Sequence, residues 1–97
     1  PDIILAESPA LIGKGKRGPE DMAEIQKINR AIHAVAPGIP ILHGAGISDE
    51  RDVYEIIKAG ADATGSTSGI LMAEKPEEML EKMIRAAAEA WKERQLT

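Results

Sequence analysis

The sequence predicts an α/β fold, a parallel sheet built from three consecutive strand–loop–helix units. Three observations carry this. Short apolar runs alternate with longer stretches of helical period, each apolar run ends in a loop rich in small residues, and each helical stretch opens on proline or acidic residues. Units in that order join parallel strands by right-handed crossovers. The loops that follow the strands then gather at one edge of the sheet, the edge that carries ligands in barrels and open α/β sheets alike.

Ile3-Ile4-Leu5-Ala6 is an unbroken apolar run of strand length, which suits a strand covered on both faces. Glu7 stands at its end, and Ser8 to Gly18 reads as a loop rich in Gly, Lys and Arg. Pro19 fits a first helical position, with Glu20 and Asp21 complementing the positive helix end. Met22, Ile25, Ile28, Ile32 and Val35 recur as one apolar stripe, and Pro37-Gly38 ends the helix. Ile39, Ile41 and Leu42 form a second strand, entered through Pro40. Gly44-Ala45-Gly46 is a tight turn, and Ser48 is the expected cap of the next helix, whose first turn holds Asp49, Glu50 and Asp52.

Val53, Ile56 and Ile57 supply that helix with its buried stripe, and Ala59-Gly60 closes it. Ala61 to Ser66 is the third strand, more polar than the others, followed by the loop Ser66-Thr67-Ser68-Gly69. Pro76 opens the last helix, with Glu77 and Glu78 behind it. Its expected buried face is Met79, Leu80, Met83, Ile84, Ala87, Ala88 and Trp91. Met72, Met79 and Met83 read as core filler. His33 reads as a surface residue and His43 as a packed or hydrogen-bonded residue at a strand end.

The 97 residues make one small domain, short enough that partner surfaces bear on its stability. A net charge of −4, with no basic stripe and interleaved aromatics, argues against a nucleic-acid partner. Tyr54 and Trp91 are the only aromatic residues, so the core is aliphatic. The absence of cysteine excludes disulfides and thiolate metal sites. Ile3 to Ala6 is far too short to span a membrane, and no signal peptide is visible, so a cytoplasmic protein without a membrane partner is the expectation. The chain enters its first strand almost at once; a natural domain can begin so, and a piece cut at an element boundary would look the same.

Ala6-Glu7-Ser8-Pro9-Ala10-Leu11-Ile12-Gly13-Lys14-Gly15 resembles the sixth-strand region and closing loop of the triosephosphate isomerase family. His43-Gly44-Ala45-Gly46-Ile47-Ser48 resembles the turn after strand seven in the archaeal branch of that family. The spacing agrees onward through Asp52-Val53, Ala59-Gly60, Ser68-Gly69 and Lys75-Pro76. The resemblance implies units six to eight of a TIM (β/α)8 barrel, β6-α6-β7-α7-β8-α8 over residues 1–97, with parallel strands and outer helices. A complete barrel needs roughly 200 to 250 residues. The family's remaining catalytic groups fall in the units not spanned, and neither His33 nor His43 replaces them by position.

The resemblance also implies a site. Glu7 would be the base that moves a proton between neighbouring carbons of a small phosphorylated sugar, through an enediol. Read alone, Glu7 is a solvated or ion-paired strand-end carboxylate. Pro9 to Gly18 would be the lid, with the Gly13 amide meeting the substrate phosphate. Ser8 in place of a hinge proline, Lys14 in place of a lid-tip threonine, and a short Gly15–Pro19 segment depart from the family. Gly44, Ala45 and Gly46, with Ser68 and Gly69, would hold the phosphate through backbone amides. Read alone, Gly44-Ala45-Gly46 is merely a tight turn.

No cofactor or metal is called for. A homo-oligomer, or association with the missing half of the barrel, is expected. The polar run Thr64-Gly65-Ser66-Thr67, where archaeal relatives carry aliphatics, leaves two alternatives open: another phosphosugar-binding barrel, and a non-catalytic self-associating half-barrel.

Overall fold

The structure, a computed structural model, describes residues 1–7, 19–44 and 46–96, with residues 19–21 described in backbone only. Its elements are β1 (Ile4–Glu7), α1 (Pro19–Val35), β2 (Ile41–Gly44), α2 (Glu50–Ala59), β3 (Ala63–Thr64), α3 (Ser68–Leu71) and α4 (Pro76–Gln95). The strands form one sheet in the order β1-β2-β3. Both pairings are parallel, with Ile4 opposite Ile41, Glu7 opposite Gly44, and His43 opposite Thr64. The expected three-unit α/β order is therefore present.

Side chains alternate across a strand, so Ile41 and His43 share one face of the sheet while Leu5, Glu7 and Gly44 share the other. Ile41 is fully buried, whereas Leu5 and Glu7 are exposed. The expectation that β1 is covered on both faces is thus corrected. Its apolar run is continuous, but among the described residues helices cover one face only.

The core lies among the helices. Ile25 from α1, Val53, Ile56 and Ile57 from α2, and Met83 and Ala90 from α4 bury themselves with Ile47 and Ala61. Removing such side chains from water contributes about 1.5–3 kcal/mol for each large one. Arg94 ties α4 to the end of α2: its Nη1 donates to the carbonyls of Ile57 at 3.0 Å and Ala61 at 2.8 Å. Its guanidinium also lies 4.9 Å from the centre of the Trp91 ring, a cation–π contact.

Pro76 stands at the start of α4 as expected, and Gly60 closes α2 with φ 130°, a conformation that favours glycine. Other expectations need correction. Asp49, not Ser48, caps α2: its Oδ1 accepts from the amides of Arg51 and Asp52. The third strand shrinks to Ala63–Thr64, and the expected loop at Ser68-Gly69 is a single helical turn. Val35 is 87% exposed and Met72 82%, so neither belongs to the core. On α4, Leu80, Ile84 and Trp91 are exposed, and Met83 and Ala90 form the buried line. Leu80 and Ile84 instead flank a cleft of about 290 Å³ beside β3, with Ile70, Met83 and Ala87. His33 is half-buried rather than superficial, its Nε2 donating to the Ile39 carbonyl at 3.0 Å.

Candidate functional site

Of the residues singled out from the sequence, Glu7 and Gly44 meet at the C-terminal edge of the sheet. Glu7 is the last residue of β1 and Gly44 the last of β2, and they are paired in register. The Glu7 side chain lies across Gly44: a Cβ built on Gly44 would stand 2.9 Å from Glu7 Oε1 and 3.3 Å from its Cγ. Any side chain at position 44 would therefore displace the carboxylate. Gly46 has φ 71°, in the left-handed region, which lets the chain turn sharply after β2.

The loops after β2 and β3 are braced against one another. Ser66 Oγ donates to the Ile47 carbonyl at 2.8 Å. Gly69 packs so closely on the same segment that an added Cβ would lie 2.5 Å from Ile47 O and 2.5 Å from Ser66 Oγ. Ser68 and Gly69 open α3, where the first amides of a helical turn have no acceptor within the turn. Gly44 at the end of β2, Gly46 just after it, and Ser68 and Gly69 at the start of α3 thus lie on two adjoining segments, with Glu7 on the neighbouring strand end. Gly13 and Ala45 lie outside the described residues, as does the expected lid from Pro9 to Gly18.

The opening of α2 differs from the arrangement expected for an anion site. Asp49 occupies the amides of Arg51 and Asp52, and Asp52 Oδ2 accepts from the Ser48 amide at 2.8 Å. Two carboxylates therefore stand where a helix terminus would otherwise attract an anion.

His43 turns away from this edge. It is 4% exposed, on the helix-covered face, and its Nε2 lies 2.7 Å from Asn29 Oδ1. Asn29 Nδ2 in turn donates to the Gly60 carbonyl at 3.0 Å, and Thr64 Oγ1 donates to the His43 carbonyl at 2.6 Å. The sequence reading did not single out Asn29. Its signal was there: it stands four residues after the buried Ile25, on the apolar stripe of α1, where a polar side chain needs a partner.

Elsewhere, the Tyr54 hydroxyl donates to Glu93, and Lys58 Nζ approaches the same oxygen at 3.3 Å. The bond to Glu93 raises the Tyr54 phenol above its ordinary range, and the Tyr54 hydroxyl holds Glu93 below the usual carboxylate range. This cluster joins α2 to α4. Among the described residues, no group of His, Asp or Glu is arranged to hold a metal ion, and no helix is long and apolar enough to cross a membrane.

No family model matches the chain. Individual relatives do. Triosephosphate isomerase of Saccharolobus solfataricus is 38% identical over 92 residues, which span 93% of this chain and 40% of that enzyme. Triosephosphate isomerase of Methanothermus fervidus is 33% identical over 88 residues, spanning 87% of this chain and 38% of the enzyme. Among solved structures, the chain is similar to one in the crystal structure of the Amycolatopsis orientalis BexX/CysO complex. That match has a TM-score of 0.62 and 30% identity, and covers 91% of this chain and 32% of the other. The chain thus spans about 40% of the length of the curated relatives it matches. Over that span it is similar, at 33–38% identity, to triosephosphate isomerases of archaea.

Proposed function

We propose that these residues are units six to eight of a (β/α)8 barrel, and that the intact protein interconverts glyceraldehyde 3-phosphate and dihydroxyacetone phosphate. Glu7 is assigned the base. It takes a proton from the carbon beside the substrate carbonyl, leaving an enediol, and returns the proton to the neighbouring carbon. The amides of Gly44, Ala45, Gly46, Ser68 and Gly69 are assigned the phosphate, and Gly13 completes the cradle from the lid at residues 9–18. The observation that carries this reading is the register of Glu7 with Gly44, which sets the carboxylate against the first glycine of the turn. The braced pair of loops supports it, because such neighbouring loops after the last two strands are the usual phosphate site of this barrel class.

The test is turnover by the full-length protein. Glu7→Asp shortens the reach of the base and is expected to lower kcat on the order of 100-fold or more. Normal turnover in that variant removes Glu7 from the mechanism. Residues 1–97 alone are expected to be nearly inactive, because one base without an electrophile leaves the enediolate charge unstabilised.

The polar segment Thr64-Gly65-Ser66-Thr67 favours a second reading, a different phosphosugar on the same cradle. In that case the full-length protein binds inorganic phosphate yet fails the isomerase assay. The outer edges of β1 and β3, unpaired among the described residues, favour association with the remaining units or with further copies. Sedimentation of residues 1–97 as a well-folded monomer would rule out obligatory self-association.

A further inference from the structure

We infer that residues 1–97 form a two-fold symmetric dimer in which α4 of one copy packs antiparallel on α4 of the other, an inference independent of the reaction proposed above. It starts from a second apolar line on α4. Met83 and Ala90 bury one line in the core shared with α2, and Leu80, Ile84, Ala88 and Trp91 form another beside it. Together the two lines cover about half of the helix circumference, whereas a helix packed on one side needs a stripe of roughly 100°. Ile84 keeps 61% of its surface exposed and Trp91 47%, and Ala88 is exposed as well. α4 thus carries apolar surface for two long neighbours, and among the described residues α2 is the one helix that runs beside it.

The open line is complementary to itself. Laid antiparallel and level at Ala86, two copies of α4 set Leu80 against the partner's Trp91, and Ile84 against the smaller side chain of the partner's Ala88. Charge selects the same order. Glu81 and Lys92 are both exposed and border the line on one side. In the antiparallel register Glu81 faces the partner's Lys92, and two-fold symmetry makes that pair twice. Parallel packing in register would instead set carboxylate against carboxylate and ammonium against ammonium. Arg85 Nη2 donates to Glu81 Oε1 at 2.8 Å, which holds the carboxylate at the border of the line. The antiparallel order also opposes the two helix dipoles. One helix flank is a small interface, so the dimer is expected at micromolar rather than nanomolar concentrations.

The experiment is sedimentation equilibrium of residues 1–97 between about 5 and about 500 μM, with the emission of Trp91, the only tryptophan, followed over the same range. A monomer–dimer equilibrium is expected, with the emission moving to shorter wavelength as the dimer forms. Ile84→Lys is expected to weaken the dimer at least about tenfold while keeping its helical circular dichroism, because that side chain is exposed. Glu81→Lys and Lys92→Glu are each expected to weaken it about fivefold, and the double variant to return within about twofold of wild type. A double variant no tighter than the single ones overturns the antiparallel register. A chain that stays monomeric throughout overturns the dimer and leaves the open line to the remaining units of a barrel. Species larger than two, or a dimer that forms with Trp91 emission unchanged, put the contact elsewhere and overturn the inference too. Should Ile84→Lys fail to fold, Ile84→Ser carries the same expectation, and wild-type association there overturns it.

Discussion

On one face of the sheet Ile41 is fully buried beneath the helices, whereas on the other Leu5 keeps 60% of its surface exposed, although the two strands are paired neighbours. On the covered side α1, α2 and α4 side chains form an aliphatic core. The open face carries Leu5, Glu7 and Gly44, and so the proposed base. Folding energy and candidate reactivity therefore reside on opposite sides of one thin layer. A change on the covered side should alter stability first, and a change on the open side should alter ligand binding first.

The comparison breaks most visibly at Ile56, which is fully buried. Ile56→Ala is expected to destabilise by about 2–5 kcal/mol through lost transfer energy and a residual cavity, read as a lower urea midpoint. A shift under about 1 kcal/mol there would mean the helical layer is not tightly packed. Gly69→Ala sharpens the contrast where the loops meet. Its Cβ is blocked by Ile47 O and Ser66 Oγ, so the two segments must part, at about 1–3 kcal/mol and with loss of the proposed phosphate binding.

Asp49→Ala removes the α2 cap and is expected to cost about 1 kcal/mol while leaving the open face unchanged. Leu5→Ala in residues 1–97 should shift stability by less than about 0.5 kcal/mol, since little of that side chain is removed from water. A loss comparable to Ile56→Ala would show that the open face is covered, by a second copy or otherwise.

The smallest effect concerns pH. Glu93 is depressed in the fold, so its contribution is present above the unfolded carboxylate value and is lost as pH falls through the folded one. Tyr54 is raised, so its contribution is present below the unfolded phenol value and is lost as pH rises through the folded one. Stability from this pair is flat in the broad window between, and Tyr54→Phe should flatten its acid and alkaline limbs. Both groups are solvent-accessible, so screening keeps the change small.

Local chemistry made much of the fold legible. Pro76 at a first helical position, Gly60 after α2, and the Val53-Ile56-Ile57 stripe each announce themselves within a few residues. Periodicity failed where the answer depended on what lies opposite. The α4 repeat offers two adjacent apolar lines, and only packing against α2 selects Met83 and Ala90 over Leu80, Ile84 and Trp91. Val35 and Met72 carry the right side chains but end their elements beyond the reach of the core. Ser48 and Asp49 are both good caps, and the backbone angles at the helix start decide for Asp49. Motif and spacing single out Glu7 and the glycine turn as candidates, and the structure pairs Glu7 with Gly44 in register. The contact of Asn29 with His43 was not legible, because 14 residues separate them and only the docking of α1 on β2 unites them.

The packing of Gly69 on Ile47 also constrains how this protein could acquire new preferences. Two rim segments so tightly joined cannot drift apart by single substitutions, and a change in either must be answered in the other. The gap between them is therefore set by one shared contact rather than by either segment alone.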